Sequence, residues 1–241
     1  MQYSYDFEKE FRGRKRKPDY AIAKNDTLYL CDVKDFEPDL PLGFMQFDPY
    51  VRIRERINAG RKKFKEYKDF ACCVVLQNNG NAYVHSENPH IVLGAMYGNA
   101  GFTLPIYLGQ GTPPRERPQL TPAFLGGGKM IRNGQHSNTT ISALITLRQV
   151  AVGIRRYRQM LKEFAMLGAT ETLVKAEERF TNFDFNEKHL GVIVWENPVA
   201  RIPLSRDLFT GPYDERWGIE GQDQTIVFCG EKLAELSKDN T

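Results

Sequence analysis

Two short apolar segments joined by an Asn-Asp pair constrain the fold more than any other stretch of this chain. The segments are DYAIAK (19–24) and TLYLCDV (27–33), separated by Asn25-Asp26. Short runs of β-forming residues around such a turn predict a β-hairpin. In an antiparallel pair the start of one strand lies beside the end of the other, so Asp19 and Asp32 are expected at the same end. Lys34, two residues after Asp32, is expected on the same face.

A basic helix and a buried strand are predicted to follow the hairpin. Within 50–67, four apolar or aromatic residues and one glycine recur at the spacing of one helix face: Ile53, Ile57, Gly60, Phe64 and Tyr67. Lys and Arg occupy most of the other positions of this helix. The continuous apolar run FACCVVLQ (70–77) is typical of a buried strand. Before the hairpin, residues 3–11 are expected to form a short helix.

The rest of the chain carries weaker patterns. We expect residues 79–138 to be a loop-rich insertion because Gly and Pro are frequent there. Residues 139–241 are expected to extend the core with a long helix over 140–166, strands over 189–197 and 224–230, and a short helix over 231–236. The prediction is therefore a single domain over residues 1–241.

Positive charge is concentrated in the N-terminal third of the chain. Residues 1–68 hold 16 Lys/Arg against 12 Asp/Glu, whereas the remainder holds 17 against 18. A local basic excess attracts polyanions, although the same residues also serve to solubilise a surface.

The N-terminus has no apolar signal segment and no apolar run approaches a membrane span of about 20 residues, so a cytoplasmic location without membrane contact is expected. Cys31, Cys72, Cys73 and Cys229 lie in apolar runs and are predicted to be buried thiols.

The hairpin end carries the residues with the clearest chemistry. Two carboxylates brought close together repel each other in a partly dry site, so a proton, a lysine or a divalent cation must neutralise Asp19 and Asp32. Carboxylate oxygens suit Mg²⁺ or Mn²⁺, which keep several waters and bind substrate phosphate. Lys34 adds a cation that could orient or deprotonate the attacking water. This grouping predicts metal-assisted hydrolysis of phosphodiester bonds.

The sequence contains, in this order, Pro18-Asp19, two short predicted strands, Asp32-Val33-Lys34, a basic helix and a further strand. This order resembles that of the PD-(D/E)XK nuclease superfamily. The resemblance implies an α/β fold with a restriction-endonuclease-like core over residues 5–78, a mixed sheet flanked by helices in the order αβββαβ. It implies that Asp19, Asp32 and the backbone carbonyl of Val33 bind Mg²⁺ or Mn²⁺, and that Lys34 activates or positions the attacking water. It also implies a catalytic glutamate from the first helix, for which Glu10 is the best match and Glu8 the next.

Basic residues on both sides of the hairpin fit a nucleic-acid substrate. We expect phosphate contacts from Arg14, Arg16, Lys17, Arg54, Arg61 and Lys62. The predicted function is a Mg²⁺-dependent endonuclease, acting on DNA rather than RNA, and a homodimer is among the assembly states that the sequence allows. Two alternatives stay open: an inactive nuclease-fold module that binds nucleic acid or recruits a partner, and a structural or assembly protein of a mobile element.

Overall fold

The computed structural model describes residues 3–38, 48–103, 121–132, 135–164, 184, 186–220 and 227–231. Within these ranges the helices are α1 (Val51–Phe64), α2 (Pro89–Tyr97) and α3 (Val152–Phe164). The strands of the N-terminal part are β1 (Ser4–Phe7), β2 (Tyr20–Lys24), β3 (Thr27–Phe36) and β4 (Ala71–Asn78). The remaining strands are β5 (Gly98–Thr103), β6 (Thr121–Gly127), β7 (Ile131–Arg132), β8 (Gln135–His136), β9 (Ala143–Ala151), β10 (Lys188–Glu196), β11 (Glu215–Glu220) and β12 (Val227–Glu231).

One mixed sheet organises the described chain. Its strand order is β1-β2-β3-β4-β9-β10-β11-β12, and the other strands form the separate pairs β5-β6 and β7-β8. Strand β2 runs antiparallel to both of its neighbours, β1 and β3, whereas β3, β4 and β9 run parallel. The predicted α/β class with a mixed sheet is therefore confirmed. The chain divides into two compact units, residues 1–147 with 192–241, and residues 148–191.

The predicted hairpin, helix and strand are confirmed. β2 pairs with β3 from Tyr20 opposite Cys31 to Lys24 opposite Thr27. α1 lies within the predicted range 50–67, and β4 follows it and pairs in parallel with β3. The sequence 4–78 thus gives the order β1-β2-β3-α1-β4.

The helix predicted over residues 3–11 is wrong, because this segment contains a strand. β1 pairs antiparallel with β2, with Phe7 opposite Tyr20. Aromatic residues at every second position, Tyr3, Tyr5 and Phe7, are typical of a strand, and all three are exposed. Strand β1 is thus a third strand before α1, in addition to the two strands of the predicted hairpin.

Helix α1 is held against the sheet by its apolar stripe. Ile53, Ile57 and Phe64 are fully buried, and they pack with core residues of the sheet that include Leu30 and Val74. Full burial of one such side chain contributes about 1.5–3 kcal/mol relative to an exposed position. This packing fixes which face of α1 meets β3, and with it the position of every polar residue at the edge of the stripe.

Gly60 allows α1 to approach β4 closely. A Cβ added at Gly60 would lie 2.3 Å from Cγ2 of Val74. We expect Gly60→Ala to destabilise the protein by up to about 2 kcal/mol, because overpacking costs about 1–3 kcal/mol and better helix propensity returns about 1 kcal/mol. Urea unfolding measures this, and in a Val74→Ala background the same substitution should become neutral or stabilising. Equal effects in both backgrounds would contradict the close contact.

The long helix predicted over 140–166 is correct only in its second half. Residues 143–151 form β9, and α3 begins at Val152. The first residues of β9 are buried and pair in parallel with β4, from Ala143 opposite Cys73 to Thr146 opposite Leu76. A strand buried in the middle of a sheet has a continuous apolar run, and such a run also satisfies the spacing of a buried helix face.

The C-terminal predictions have mixed outcomes. β10 confirms the strand over 189–197, and β12 overlaps the one predicted over 224–230. Most of the helix predicted over 231–236 lies outside the described residues. The insertion over 79–138 contains α2, which Asn88 caps and Pro89 opens, although residues 104–120 and 133–134 are outside the described part.

Other sequence expectations concern cysteines and membrane contact. Cys31, Cys72 and Cys73 are buried free thiols, as predicted. Burial raises the pKa of the Cys72 thiol far above its ordinary value, so this side chain is inert at neutral pH. Within the described ranges, none of the helices has both the length and the apolar character needed to cross a bilayer.

Candidate active site

The hairpin places Asp19 and Asp32 beside each other. The Asp19 amide donates a hydrogen bond to the Cys31 carbonyl at 3.0 Å, which extends the β2-β3 ladder by one residue beyond Tyr20. Both carboxylates contact the ammonium of Lys63, through Oδ1 of Asp19 and, at 2.6 Å, Oδ1 of Asp32. One cation thus lies within reach of both carboxylates.

Asp32 is a buried carboxylate on the core-facing side of β3. Its exposed fraction is 0%, and Leu30, two residues earlier on the same face, packs in the core cluster that includes α1. The Lys34 ammonium lies 2.8 Å from Asp32 Oδ2, but this approach lacks hydrogen-bond geometry. Within the part of the chain that the structure describes, Oδ2 is therefore a buried acceptor with an ionic neighbour and no hydrogen bond, which is the kind of atom that a further cation would satisfy.

Asp19 is held by its neighbours in the ionised form. Its Oδ2 accepts a hydrogen bond from the Val33 amide at 2.7 Å, and its Oδ1 accepts one from Lys63. Burial alone raises the pKa of Asp19, but the hydrogen bonds from Lys63 and Val33 outweigh burial and hold that pKa below its ordinary value. The same two carboxylates overcome the effect of burial on Lys63 and raise the pKa of its ammonium.

This arrangement predicts an acid-labile contribution of Asp19 to stability. Because the folded-state pKa lies below the ordinary value of 3.8, the contribution is complete above about pH 4 and is lost as the pH falls through the folded-state pKa. The difference in unfolding free energy between wild type and Asp19→Asn, measured in EDTA, should therefore be constant from pH 7 to 5 and shrink below pH 4. A difference that stays constant down to pH 3 would contradict it.

Lys63 is the site residue that the sequence did not identify. The sequence pattern places it among the basic residues of α1, which usually form a solvated face. It lies three residues after Gly60 and directly before Phe64, at the border of the buried stripe, and its side chain is 20% exposed. This border position was the available sequence signal, but only the docking of α1 on β3 decides which lysine reaches the carboxylates.

The two candidate glutamates lie outside this group. Glu10 is exposed and pairs with Lys17 at 2.5 Å, and this hydrogen bond lowers the pKa of its carboxyl. Glu8 is exposed as well, and its amide donates to the Asp19 carbonyl at 2.9 Å. Among the described residues, no three His, Cys, Asp or Glu side chains are grouped so that they could hold one metal ion. The glutamate was expected on a helix over residues 3–11, and strand β1 takes the place of that helix.

Three of the basic residues predicted to contact phosphate have partners within the protein. Arg14 donates two hydrogen bonds to the Asp69 carboxylate, at 2.7 and 2.8 Å, and lies over the Tyr67 ring. Arg16 donates to the Lys62 carbonyl, and Lys17 pairs with Glu10. Arg16 and Lys17 nevertheless remain exposed, as do Arg61 and Lys62 on α1.

The phosphate contact predicted for Arg54 is wrong. Its side chain is buried, donates to the Gly94 carbonyl at 3.2 Å and to Oδ1 of Asn99 at 2.6 Å, and stacks over Tyr50. The guanidinium therefore links α1 to α2 and β5 and is not available to a ligand. Arg54 directly follows Ile53 of the buried stripe, and helix periodicity alone does not distinguish a buried arginine from an exposed one at such a border.

The donor set of the hairpin end fits a divalent cation of the Mg²⁺ type. Two carboxylates converge on one cation position, and one of them has a buried oxygen with no hydrogen bond from any described residue. Mg²⁺ commonly takes one or two carboxylates from the protein and completes its shell with water and substrate phosphate. Asp19 and Asp32 would hold it, and the Val33 carbonyl remains a predicted further ligand.

Comparison with protein-family models, curated proteins and solved structures found no match to this chain. The geometry of the hairpin end therefore carries the functional argument by itself.

Proposed function

We propose that this chain is a Mg²⁺-dependent endonuclease that hydrolyses phosphodiester bonds of nucleic acid, DNA rather than RNA. The observation that carries the proposal is the convergence of Asp19 and Asp32 on one cation position, with the Lys34 ammonium 2.8 Å from Asp32. The resemblance to PD-(D/E)XK nucleases implies such a role for an acid-acid-lysine group, and a metal held by two carboxylates can assist the hydrolysis of phosphate esters. The order β1-β2-β3-α1-β4 around the site also agrees with the βββαβ part of the restriction-endonuclease-like core.

Each side chain has a role that follows from its contacts. The buried Asp32 and the ionised Asp19 would hold the cation, which when bound would neutralise charge on the phosphate and favour attack by water. Val33 fixes the orientation of Asp19 through its amide. Lys34 positions the attacking water or stabilises the negative charge that develops on the phosphate oxygens. Water adds to phosphorus, the bond to one ester oxygen breaks, and that oxygen leaves as an alcohol after gaining a proton.

The proposal is tested by incubating the full chain with supercoiled plasmid, single-stranded DNA and RNA. Cleavage is expected with Mg²⁺ or Mn²⁺, and none with EDTA. Ca²⁺ should support binding with little or no cleavage, because it tolerates looser geometry than the reaction needs. Absence of cleavage of all three substrates with either metal would overturn the proposal.

A second candidate function is an inactive module that binds nucleic acid. It is favoured by the balance of charges at the hairpin end, where the two ammonium groups of Lys34 and Lys63 offset the two carboxylates of Asp19 and Asp32. The cleavage assay separates the candidates, since such a module would retain polynucleotide without cutting it.

Both candidates predict binding that weakens steeply as salt rises. Affinity for a DNA duplex should fall linearly on a log-log plot against salt concentration, because bound lysines and arginines release counterions. Substituting both Arg61 and Lys62 with alanine should lower the slope by about 2, at about 0.9 per lost phosphate contact. Fluorescence anisotropy over a salt series measures this. Lys188→Ala/Arg206→Ala, which removes two exposed cations outside residues 1–68, is the control and should leave the slope unchanged.

A further inference from the structure

The ammonium of Lys63 occupies the position between the two carboxylates. It contacts Oδ1 of Asp19 and lies 2.6 Å from Oδ1 of Asp32, so it sits where a cation shared by both would bind. Mg²⁺ binds oxygen at about 2.0–2.1 Å and Ca²⁺ at about 2.3–2.6 Å. An ammonium and a metal ion cannot share these two oxygens at such distances, so the occupancy of one excludes the other.

The charges of the group lead to the same conclusion. Two carboxylates and two ammonium groups leave it without net charge, and Asp32 is fully buried. Adding a divalent cation to this closed arrangement would set three cations against two anions in a partly dry site, where repulsion is strong. Binding therefore becomes favourable only when one ammonium leaves or when additional negative charge arrives.

Of the two lysines, Lys63 is the one whose departure frees both carboxylates. Among the described residues, the ammonium of Lys34 pairs with Oδ2 of Asp32, whereas Lys63 bridges the two carboxylates. Its side chain is already partly exposed, and a lysine has a flexible four-carbon stem that can move its ammonium without moving the helix. Arg61 and Lys62, immediately before it on α1, are exposed cations that would attract a phosphate backbone to the same end of the helix.

We infer that Lys63 is an internal competitor of the metal ion, which keeps the carboxylate pair closed until a phosphate group of the nucleic acid accepts its ammonium. The inference rests on the proposed function for the identity of the cation and of the polymer. It makes cation and nucleic acid bind cooperatively, and such coupling is reciprocal between the two ligands. A free divalent cation would then bind the protein weakly, and a cation together with a polynucleotide strongly.

Calorimetric titration of the full chain with Ca²⁺, which should bind without cleavage, tests the competition directly. Lys63→Met keeps the length and apolar stem of the side chain but removes the charge, and should bind Ca²⁺ at least about tenfold more tightly than wild type, within the usual range of coupling of about 5- to 150-fold. Lys65→Met removes an exposed lysine two residues away and should leave Ca²⁺ affinity unchanged. Equal Ca²⁺ affinity of wild type and Lys63→Met would overturn the inference.

A second measurement uses the wild-type protein alone and stays decisive should Lys63→Met fail to fold. Ca²⁺ affinity is measured with and without a saturating DNA oligonucleotide, and it should rise about tenfold or more when the oligonucleotide is bound. Where Lys63→Met or Lys63→Gln folds, the rise should be smaller, because the share contributed by lysine release is gone. An unchanged Ca²⁺ affinity of the wild type with oligonucleotide would overturn the inference.

The outcomes also separate this inference from the proposed function. Tighter Ca²⁺ binding by Lys63→Met in a protein that cleaves no polynucleotide would support the competition and refute the nuclease. Cleavage by a wild type whose Ca²⁺ affinity is indifferent to Lys63 would support the nuclease and refute the competition. Absence of Ca²⁺ binding by wild type and variant, with and without the oligonucleotide, would refute both.

Discussion

Lys34→Ala is expected to lower the rate of DNA cleavage at least about 100-fold while leaving divalent-cation binding intact. Positioned groups that transfer protons or orient water contribute about 10²- to 10⁴-fold to enzymatic rates, and Lys34 is the cation beside Asp32 that does not bridge the carboxylates. A charged lysine donates hydrogen bonds and cannot ligate a metal, so its loss removes no ligand. It removes a positive charge, so Ca²⁺ should bind as tightly as to wild type or more tightly.

The measurement pairs single-turnover cleavage in Mg²⁺ with calorimetric Ca²⁺ binding. Lys188→Ala, which removes an exposed lysine at the start of another strand, is the matched control and should affect neither quantity. Cleavage by Lys34→Ala at the wild-type rate would mean that the activity belongs to another site or to a contaminant. Loss of Ca²⁺ binding together with cleavage would mean that Lys34 organises the carboxylates and does not act on the substrate.

The local part of the site was predictable from sequence because it depends on neighbours along the chain. The turn residues and the two-residue period place Asp19 opposite Asp32 and set Lys34 on the face of Asp32, and the register of β2 and β3 agrees with this. The stripe of α1 was equally readable, since Ile53 and Phe64 are fully buried. In each case a few adjacent residues carry the information.

The contribution of α1 to the site was not predictable, because it depends on how a helix docks on a sheet. Lys63 and Arg54 both border the apolar stripe, yet one meets the carboxylates and the other is buried against α2. A rotation of α1 by a fraction of a turn would bring other lysines toward β3. The sequence pattern fixes the width of the buried stripe but not the identity of the charged residues that close its edges.

The errors elsewhere arise where one pattern fits two structures. The start of β9 is apolar enough for a buried helix face, and only its pairing with β4 makes it a strand. The alternation of Tyr3, Tyr5 and Phe7 is typical of a strand, although a helix was expected over 3–11. Pairing with β2 makes this segment a strand. Because the expected helix is absent from residues 3–11, the catalytic glutamate that was expected from it loses its predicted position.

Within the described ranges no third acidic side chain joins Asp19 and Asp32. Each of the two carboxylates therefore matters more for binding a cation, and Asp32 matters most. Asp32 lies between Lys34 and Lys63, is fully buried, and has an oxygen that accepts no hydrogen bond from the residues described. Asp32→Asn keeps the shape of the side chain but removes its charge, so it cannot offset two ammonium groups or a divalent ion. We therefore expect it to lower both Ca²⁺ affinity and cleavage.

For Asp32→Asn the loss of cleavage should be at least about 1,000-fold, because a cation that stabilises the transition state contributes several kcal/mol and about 1.4 kcal/mol corresponds to a factor of ten. Breaking a buried ion pair also costs stability. In the variant, however, Lys63 still pairs with Asp19, and the side chains of Lys34 and Lys63 are both partly exposed to solvent. The variant should therefore still unfold cooperatively in urea. Asp35→Asn, an exposed carboxylate on the same strand, is the control and should retain activity and Ca²⁺ binding. An Asp32→Asn protein that folds and still cleaves DNA would remove Asp32 from the active site, and the proposed metal centre would fail with it.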